Sequence, residues 1–200
     1  MGKNAGGSGT GKLGDSRKKT SKSLKRFLKG IKDYALRKDQ SDAFNLYAEK
    51  FGIRANDIKI TNNYVEYGIT GLTADGRIII ELNAKFFAQR KKAVEKAIIV
   101  KYRAGESVST KQPSKHVLTH ELAHATWRSD YTGQRHIEAR SDIYKLFSDW
   151  KSNRSAVKYY GALSKTHIDE FWAEVVTKAL YGTPDEYTKR ARSIIKKHRL

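Results

Sequence analysis

The sequence predicts an α+β fold in which a small twisted sheet of about three strands precedes a mainly helical half. Two patterns carry this prediction. Apolar residues recur at helical spacing before residue 52 and again after residue 84, whereas residues 58–82 alternate with a period of two. In addition, the 200 residues contain no internal repeat and suit one domain with a sizeable core.

Composition excludes several classes of protein. The chain has no cysteine, so it holds neither a disulfide framework nor a thiolate zinc site. No apolar stretch approaches the ~20 residues of a membrane span, and the N-terminus lacks a signal peptide, so we expect a cytoplasmic protein. The net charge of +19 favours nucleic acid or another anionic partner, although a solubilising tail is an equal alternative.

The N-terminal region divides into an arm and two helices. Residues 1–20 hold six of the fifteen glycines and predict a disordered basic arm, the expected contact with nucleic acid or an acidic partner. Residues 21–200 are predicted to form a single domain, with N-terminal helices over 21–52 and the core of the domain over 55–200. Apolar spacing predicts one amphipathic helix from Ser21 to about Lys38 and a shorter one over Ser41–Phe51.

The core is predicted to begin with three strands. They are expected at Ile58–Thr61, Tyr64–Ile69 and Arg77–Leu82, with turns at Asn62-Asn63 and Ala74-Asp75-Gly76. The run Ile78-Ile79-Ile80 predicts that the third strand is the most buried. Later helices are expected at about 84–100, from Pro113 onward, and at about 135–151, 167–181 and 184–198.

The helix after Pro113 carries the most informative motif, His120-Glu121-Leu122-Ala123-His124, which reads HExxH. Positions i and i+4 share a helix face, so both imidazoles can reach one metal ion. Glu121 lies beside the first histidine, where its carboxylate can accept a proton from water as a general base. Leu118, Leu122 and Ala125 form an apolar stripe on the opposite side, which predicts that one face packs and the other borders a cleft.

A catalytic zinc keeps three protein ligands, and two residues can supply the third. Glu170 lies 46 residues beyond His124, and Glu174 shares its helix face. One of these glutamates can bind the metal while the other contacts a ligand histidine. The competing interpretation is a solvated face, with Glu174 paired to Lys178. His136, shortly after Gly133, is the alternative third ligand.

HELAH followed by Glu170-Phe171-Trp172-Ala173-Glu174 resembles the anthrax-lethal-factor-like metallopeptidase domain, found in lethal factor, phage head-morphogenesis proteins and polymorphic toxins. Asn83-Ala84-Lys85-Phe86-Phe87, a helix and Gly105 follow the order of that family's pattern, over roughly residues 55–195. The resemblance implies a zincin-like fold whose HExxH helix lines the cleft, one Zn²⁺ per chain and cleavage of a protein or peptide substrate. It also implies a phage or toxin setting, and a virion-associated location if the protein is phage-encoded.

The same resemblance implies roles for individual residues. His120, His124 and Glu170 match the family's metal ligands, and Glu121 matches its general base. Glu174 matches the acidic residue that hydrogen-bonds to a ligand histidine. In that family a tyrosine a little upstream of the glutamate ligand stabilises the oxyanion. Tyr159 and Tyr160 are the tyrosines nearest to that position in this chain.

Two alternatives remain open from the sequence. His124-Ala125-Thr126-Trp127, with His136 as third ligand, is similar to SprT-type DNA-associated proteases, and the basic charge suits that function. The other alternative is a non-enzymatic, nucleic-acid-binding phage protein with a vestigial metal site.

Overall fold

The computed structural model describes residues 22–62, 67–129, 134–157 and 160–198, with only the backbone described at 134–136. The predicted arm at residues 1–20 lies outside this part of the chain. The fold is mixed α+β, as predicted, with a three-stranded sheet and a mainly helical second half. One hydrophobic cluster extends from Leu24 to Ile195 and joins the sheet to the helices.

The break between the two N-terminal helices lies earlier in the chain than predicted. Helix α1 covers residues 22–30, and helix α2 runs without a break over Tyr34–Phe51. The predicted helix over residues 21–38 was therefore wrong at its C-terminal end, because α1 stops at Gly30. Asp33 then begins α2, since its side chain accepts a hydrogen bond from the backbone N–H of Leu36 at 2.9 Å.

The sheet contains strands β1 (Asp57–Thr61), β2 (Gly68–Leu72) and β3 (Ile78–Asn83) in the order β1-β3-β2. Strand β1 is parallel to β3, and β2 is antiparallel to it. The first and third predicted strands are confirmed within one residue, and β3 is central and buried.

The second predicted strand was misplaced. It begins at Gly68 rather than Tyr64, and residues 63–66 lie outside the described part. Because β1 and β2 flank β3 on opposite sides, the first predicted turn does not join neighbouring strands. The second turn does form a hairpin, in which Gly76 adopts the left-handed conformation at φ 76°.

The helices after the sheet follow the predicted order. The predicted helix over 84–100 is interrupted between two shorter helices, and the helices expected near 135–151, 167–181 and 184–198 are confirmed. The α-helices are α3 (Ala84–Phe87), α4 (Lys91–Arg103), α5 (His116–Arg128), α6 (Gln134–Ser152), α7 (Arg154–Val157), α8 (Ile168–Tyr181) and α9 (Glu186–His198). Two short 3₁₀ helices cover Pro113–Lys115 and Ala162–Lys165.

Helix α5 is the element that positions the site. It packs against α8, against β2 and β3 of the sheet, and against α2. The predicted apolar stripe of Leu118, Leu122 and Ala125 is buried. Tyr47 of α2 shares a buried hydrogen bond of 2.7 Å with Thr126, which fixes the C-terminal half of α5. Within the described chain, every helix is too short or too polar to cross a membrane.

Candidate metal centre

Three side chains meet on the face of α5 that points away from its apolar stripe. His120 Nε2 lies 3.0 Å from His124 Nε2 and 3.3 Å from Glu170 Oε2, and His124 Nε2 lies 3.4 Å from Glu170 Oε1. Ligand bonds of about 2.0–2.1 Å in a tetrahedral zinc site place neighbouring donor atoms about 3.3–3.4 Å apart. The separations of these donors therefore fit a single small metal ion.

The three donors come from two helices that pack together. His120 and His124 are one turn apart on α5, and Glu170 lies in the first turn of α8. The buried side of α8, with Phe171, Trp172 and Val175, holds it in the core. Glu170 is thus carried on a rigid element, and the solvated-face interpretation of this glutamate does not describe the fold.

The charges of the metal-free site favour an ionised glutamate beside a protonated histidine. Burial alone would raise the pKa of Glu170, but contacts with His120 and His124 hold it well below its ordinary range. Burial likewise lowers the pKa of His120, yet the carboxylates of Glu170 and Glu174 raise it well above its usual value. A metal ion binding here must therefore displace a proton from His120.

Glu174 lies behind the histidines, one turn further along α8. Its Oε1 is 3.1 Å from His120 Nδ1 and 3.5 Å from His116 Nε2, and its Oε2 accepts a 2.7 Å hydrogen bond from the backbone N–H of Val108. This carboxylate is buried, so it fixes the ring of His120 with Nε2 directed at the other two donors.

His116, His120 and Glu174 form a second group whose atoms are close enough to hold a metal. The two groups share His120 but use opposite nitrogens of its ring. Because Glu174 already accepts a hydrogen bond from Val108 and faces Nδ1, the group with Glu170 is the better metal site. These contacts place Glu174 against His120, and its predicted role beside a metal ligand stays a prediction.

Glu121 lies on the sheet side of α5, against the edge strand β2. Its Oε2 accepts a 2.7 Å hydrogen bond from the Thr70 hydroxyl, which also lies 2.9 Å from the Glu121 backbone carbonyl. A Cβ at Gly68 would come within 3.0–3.2 Å of the Glu121 side chain, so glycine leaves the space this carboxylate occupies. Glu121 Oε1 accepts no hydrogen bond from the described residues and stays available to a ligand.

These side chains line a cleft of about 380 Å³ between α5, α8, β2 and the C-terminal end of α4. The histidines and glutamates form its centre, and the edge strand forms one wall. The remaining wall residues include Tyr67, Ile98, Lys101, Ser107, Val117 and Arg128. The expectation that the HExxH helix borders a cleft is therefore met, and the edge strand of the sheet lies across from it.

Tyr160 is placed away from this cleft. Its ring packs against Trp150 and Phe171, and its hydroxyl donates to Asp185 at 3.1 Å. Burial and the Asp185 carboxylate raise the pKa of Tyr160 far above its ordinary value. The geometry thus gives Tyr160 a packing role in place of the predicted oxyanion contact. Tyr159 lies outside the described residues, as does the side chain of His136, whose backbone begins α6.

Two contributors were missed from the sequence. His116 lies four residues before His120 and so shares its helix face, and it is buried beside Glu174. Thr70 carried no local signal, because its contact with Glu121 joins residues 51 apart in the chain.

No protein-family model matches this chain, and neither a curated protein nor a solved structure is significantly similar to it.

Proposed function

We propose that the protein is a zinc-dependent metalloendopeptidase of the glutamate-ligand type. One observation carries the proposal: three donors at metal-ligand separations share a cleft with a carboxylate that has a free oxygen. Nitrogen and carboxylate donors suit zinc, and a three-residue set leaves the open position of a catalytic site. Held by His120, His124 and Glu170, zinc would act as a Lewis acid and lower the pKa of water toward ~7.

The residues of the chain supply the proton transfer. Glu121 Oε1 is the group that takes the proton from the attacking water and later passes it to the leaving amine. The Thr70 hydroxyl holds the other oxygen, so the carboxylate keeps one orientation. Glu174 holds the ring of His120, which keeps a neutral donor nitrogen facing the ligand set.

Strand β2 supports a peptide as the substrate. The pairs Tyr67–Asn83 and Thr73–Arg77, at the two ends of β2, are hydrogen-bonded to β3 or its flanks. In an antiparallel pair every second residue bonds to the partner strand, so the N–H and C=O groups of Gly68 and Thr70 point away from β3, toward the free edge. An extended peptide can add to that edge as a further strand and lie across the cleft. Its scissile carbonyl would then lie between the edge strand and the metal donors.

The test is the variant Glu121→Gln, assayed for zinc content and for cleavage of a mixed peptide library. We expect about one zinc per chain and a loss of hydrolysis of at least about 100-fold, because general-base catalysis contributes about 10²–10⁴-fold. The matched control is Glu106→Gln, which changes an exposed carboxylate on the rim of the same cleft and should leave hydrolysis unchanged.

The alternatives give different results in the same assay. Full hydrolysis by Glu121→Gln would refute the assignment of the base. Zinc binding without hydrolysis of any substrate by the unaltered protein would instead favour a non-enzymatic protein with a stabilising metal. Zinc that depends on His136 and persists in Glu170→Ala would favour the SprT-type arrangement.

A further inference from the structure

Tyr34 is the most exposed large apolar side chain in the described part of the protein, with 72% of its surface accessible. It stands at the first position of α2, directly after the link that joins α1 to α2. The guanidinium of Arg37 lies 5.7 Å from the centre of its ring. An aromatic ring of this kind, open on the outside and flanked by a cation, suits stacking with a flat ligand.

Exposed cations lie on both of the segments that meet beside Tyr34, at Asp33. Lys29 and Lys32 precede it and are exposed, and Arg90 and Lys92 lie at the N-terminal end of α4. The two segments are joined, because the backbone N–H of Lys91 donates to Asp33 Oδ2 at 3.2 Å. Lys38 and Lys91 have carboxylate partners in Asp42 and Asp39, whereas the five other cations have none within the described chain.

Asp33 lies directly before Tyr34, and both its carboxylate oxygens are engaged. Oδ1 accepts from Leu36 N and Oδ2 from Lys91 N, at the N-terminal ends of α2 and α4. These hydrogen bonds lower the pKa of Asp33 and direct its charge toward the backbone. When Lys38 and Lys91 are set aside with their carboxylate partners, residues 29–38 and 90–92 hold five lysines and arginines against this one aspartate. The local charge is strongly positive.

We propose that this surface binds single-stranded nucleic acid, with a base stacked on Tyr34 and the phosphates held by the cations. We call it the Tyr34 surface, and it comprises Lys29, Lys32, Tyr34, Arg37, Arg90 and Lys92. None of these residues lines the cleft, so a bound strand leaves the metal centre open. The exposed ring favours a single strand over a duplex or an acidic protein, because unstacked bases present faces that an aromatic side chain can cover.

The experiment measures binding of a fluorescein-labelled oligothymidylate to the full chain by fluorescence anisotropy at several salt concentrations. About four to five neutralised phosphates predict a slope of log K against log salt near −3, at about −0.7 per phosphate. Tyr34→Ala should weaken binding at least about fivefold and Tyr34→Phe very little, since stacking on one aromatic ring is worth about 1–3 kcal/mol per base. Arg37→Ala should reduce the slope by about 0.7.

Matched controls keep the N-terminal arm and repeat the charge change of each test variant at a distant site. Tyr144→Ala removes another exposed tyrosine from α6, and Lys189→Ala removes an exposed lysine from α9. Both should bind like the unaltered protein. Equal binding by Tyr34→Ala and the unaltered protein would overturn the proposal and assign binding to the arm or to diffuse charge. Polyglutamate that competes as well as oligothymidylate would overturn it too, and indicate an acidic protein partner.

Discussion

The two overlapping groups, His120–His124–Glu170 and His116–His120–Glu174, would hold a metal with different second histidines. Alanine variants of His124 and His116 distinguish them. His124→Ala removes a nitrogen 3.0 Å from His120 Nε2 and 3.4 Å from Glu170. His116→Ala removes a ring that lies 3.5 Å from Glu174 and stacks on His120 at a centroid distance of 5.7 Å, while the contact of Glu174 with His120 remains. If the metal lies with Glu170, the loss of His124 is severe and the loss of His116 is mild.

The magnitudes follow from the number of ligands. Structural zinc sites with four ligands bind the metal with about 10–16 kcal/mol, or roughly 2.5–4 kcal/mol per ligand. At 1.4 kcal/mol per tenfold change, His124→Ala should weaken zinc binding about 10²–10³-fold. Groups that contact a ligand from behind contribute about 10–100-fold. His116 is one step further removed and meets Glu174 at a long distance, so we expect a loss of about tenfold or less.

The assay is competition between the protein and a chromophoric zinc chelator, and it needs no substrate. His167→Ala is the matched control, because this exposed histidine lies just before α8 and contacts neither group. We expect its zinc affinity to equal that of the unaltered protein. A larger loss for His116→Ala than for His124→Ala would refute the reasoning and move the metal to the buried group with Glu174.

Three further predictions concern the surroundings of the centre. Thr70→Val should lower kcat/KM about tenfold or more at unchanged zinc affinity, because a hydrogen bond to a charged group is worth about 1.5–3 kcal/mol. Thr70→Ser keeps the hydroxyl and should keep most activity. Equal losses in both variants would contradict the role of the hydroxyl. The metal-free protein should lose stability as pH rises through the raised pKa of His120, since the bound proton stabilises the fold only below that value. Zinc requires the neutral ring, so the zinc-induced increase in Tm should grow as pH rises from about 6.5 toward the raised pKa of His120, and a constant increase would count against this linkage. Tyr160→Phe should lower the free energy of unfolding by about 1 kcal/mol, because Asp185 loses one hydrogen bond but keeps Lys178 as a partner at 2.6 Å. Zinc binding and turnover should not change. Loss of turnover at full stability would return Tyr160 to the catalytic machinery.

Periodic patterns were enough to predict most elements, including the buried strand β3 and helices α5 and α8. The spacing of HExxH also predicted that His120 and His124 face the same side, since that follows from helix geometry alone, whereas Glu170 was assigned to them by the family resemblance. The early helix break was missed even though Gly30 and Asp33 are ordinary stop and start signals. Apolar spacing that continued to Tyr34 concealed it, because Ile31 is buried although it lies outside a helix.

The remaining features depend on which segments meet in space. Strand β2 lies beside α5 only because it pairs with the far side of β3, and sequence alternation does not fix that order. Thr70 and Gly68 therefore could not be assigned to Glu121 in advance. Tyr160 was chosen for its distance from Glu170 along the chain, but that distance does not determine the direction of a side chain in the core.

The joining of α5 to α8 at the metal centre has a consequence for the segment between them. A metal ion held by both His124 and Glu170 would cross-link residues 46 positions apart and close a loop that contains α6 and α7. In the chain-entropy model, closing a loop of that length lowers the conformational entropy of the unfolded chain and so stabilises the fold by about 4 kcal/mol. Occupancy of the centre would then govern the lifetime of the whole helical half, and a chelator would expose α6 and α7 to proteolysis.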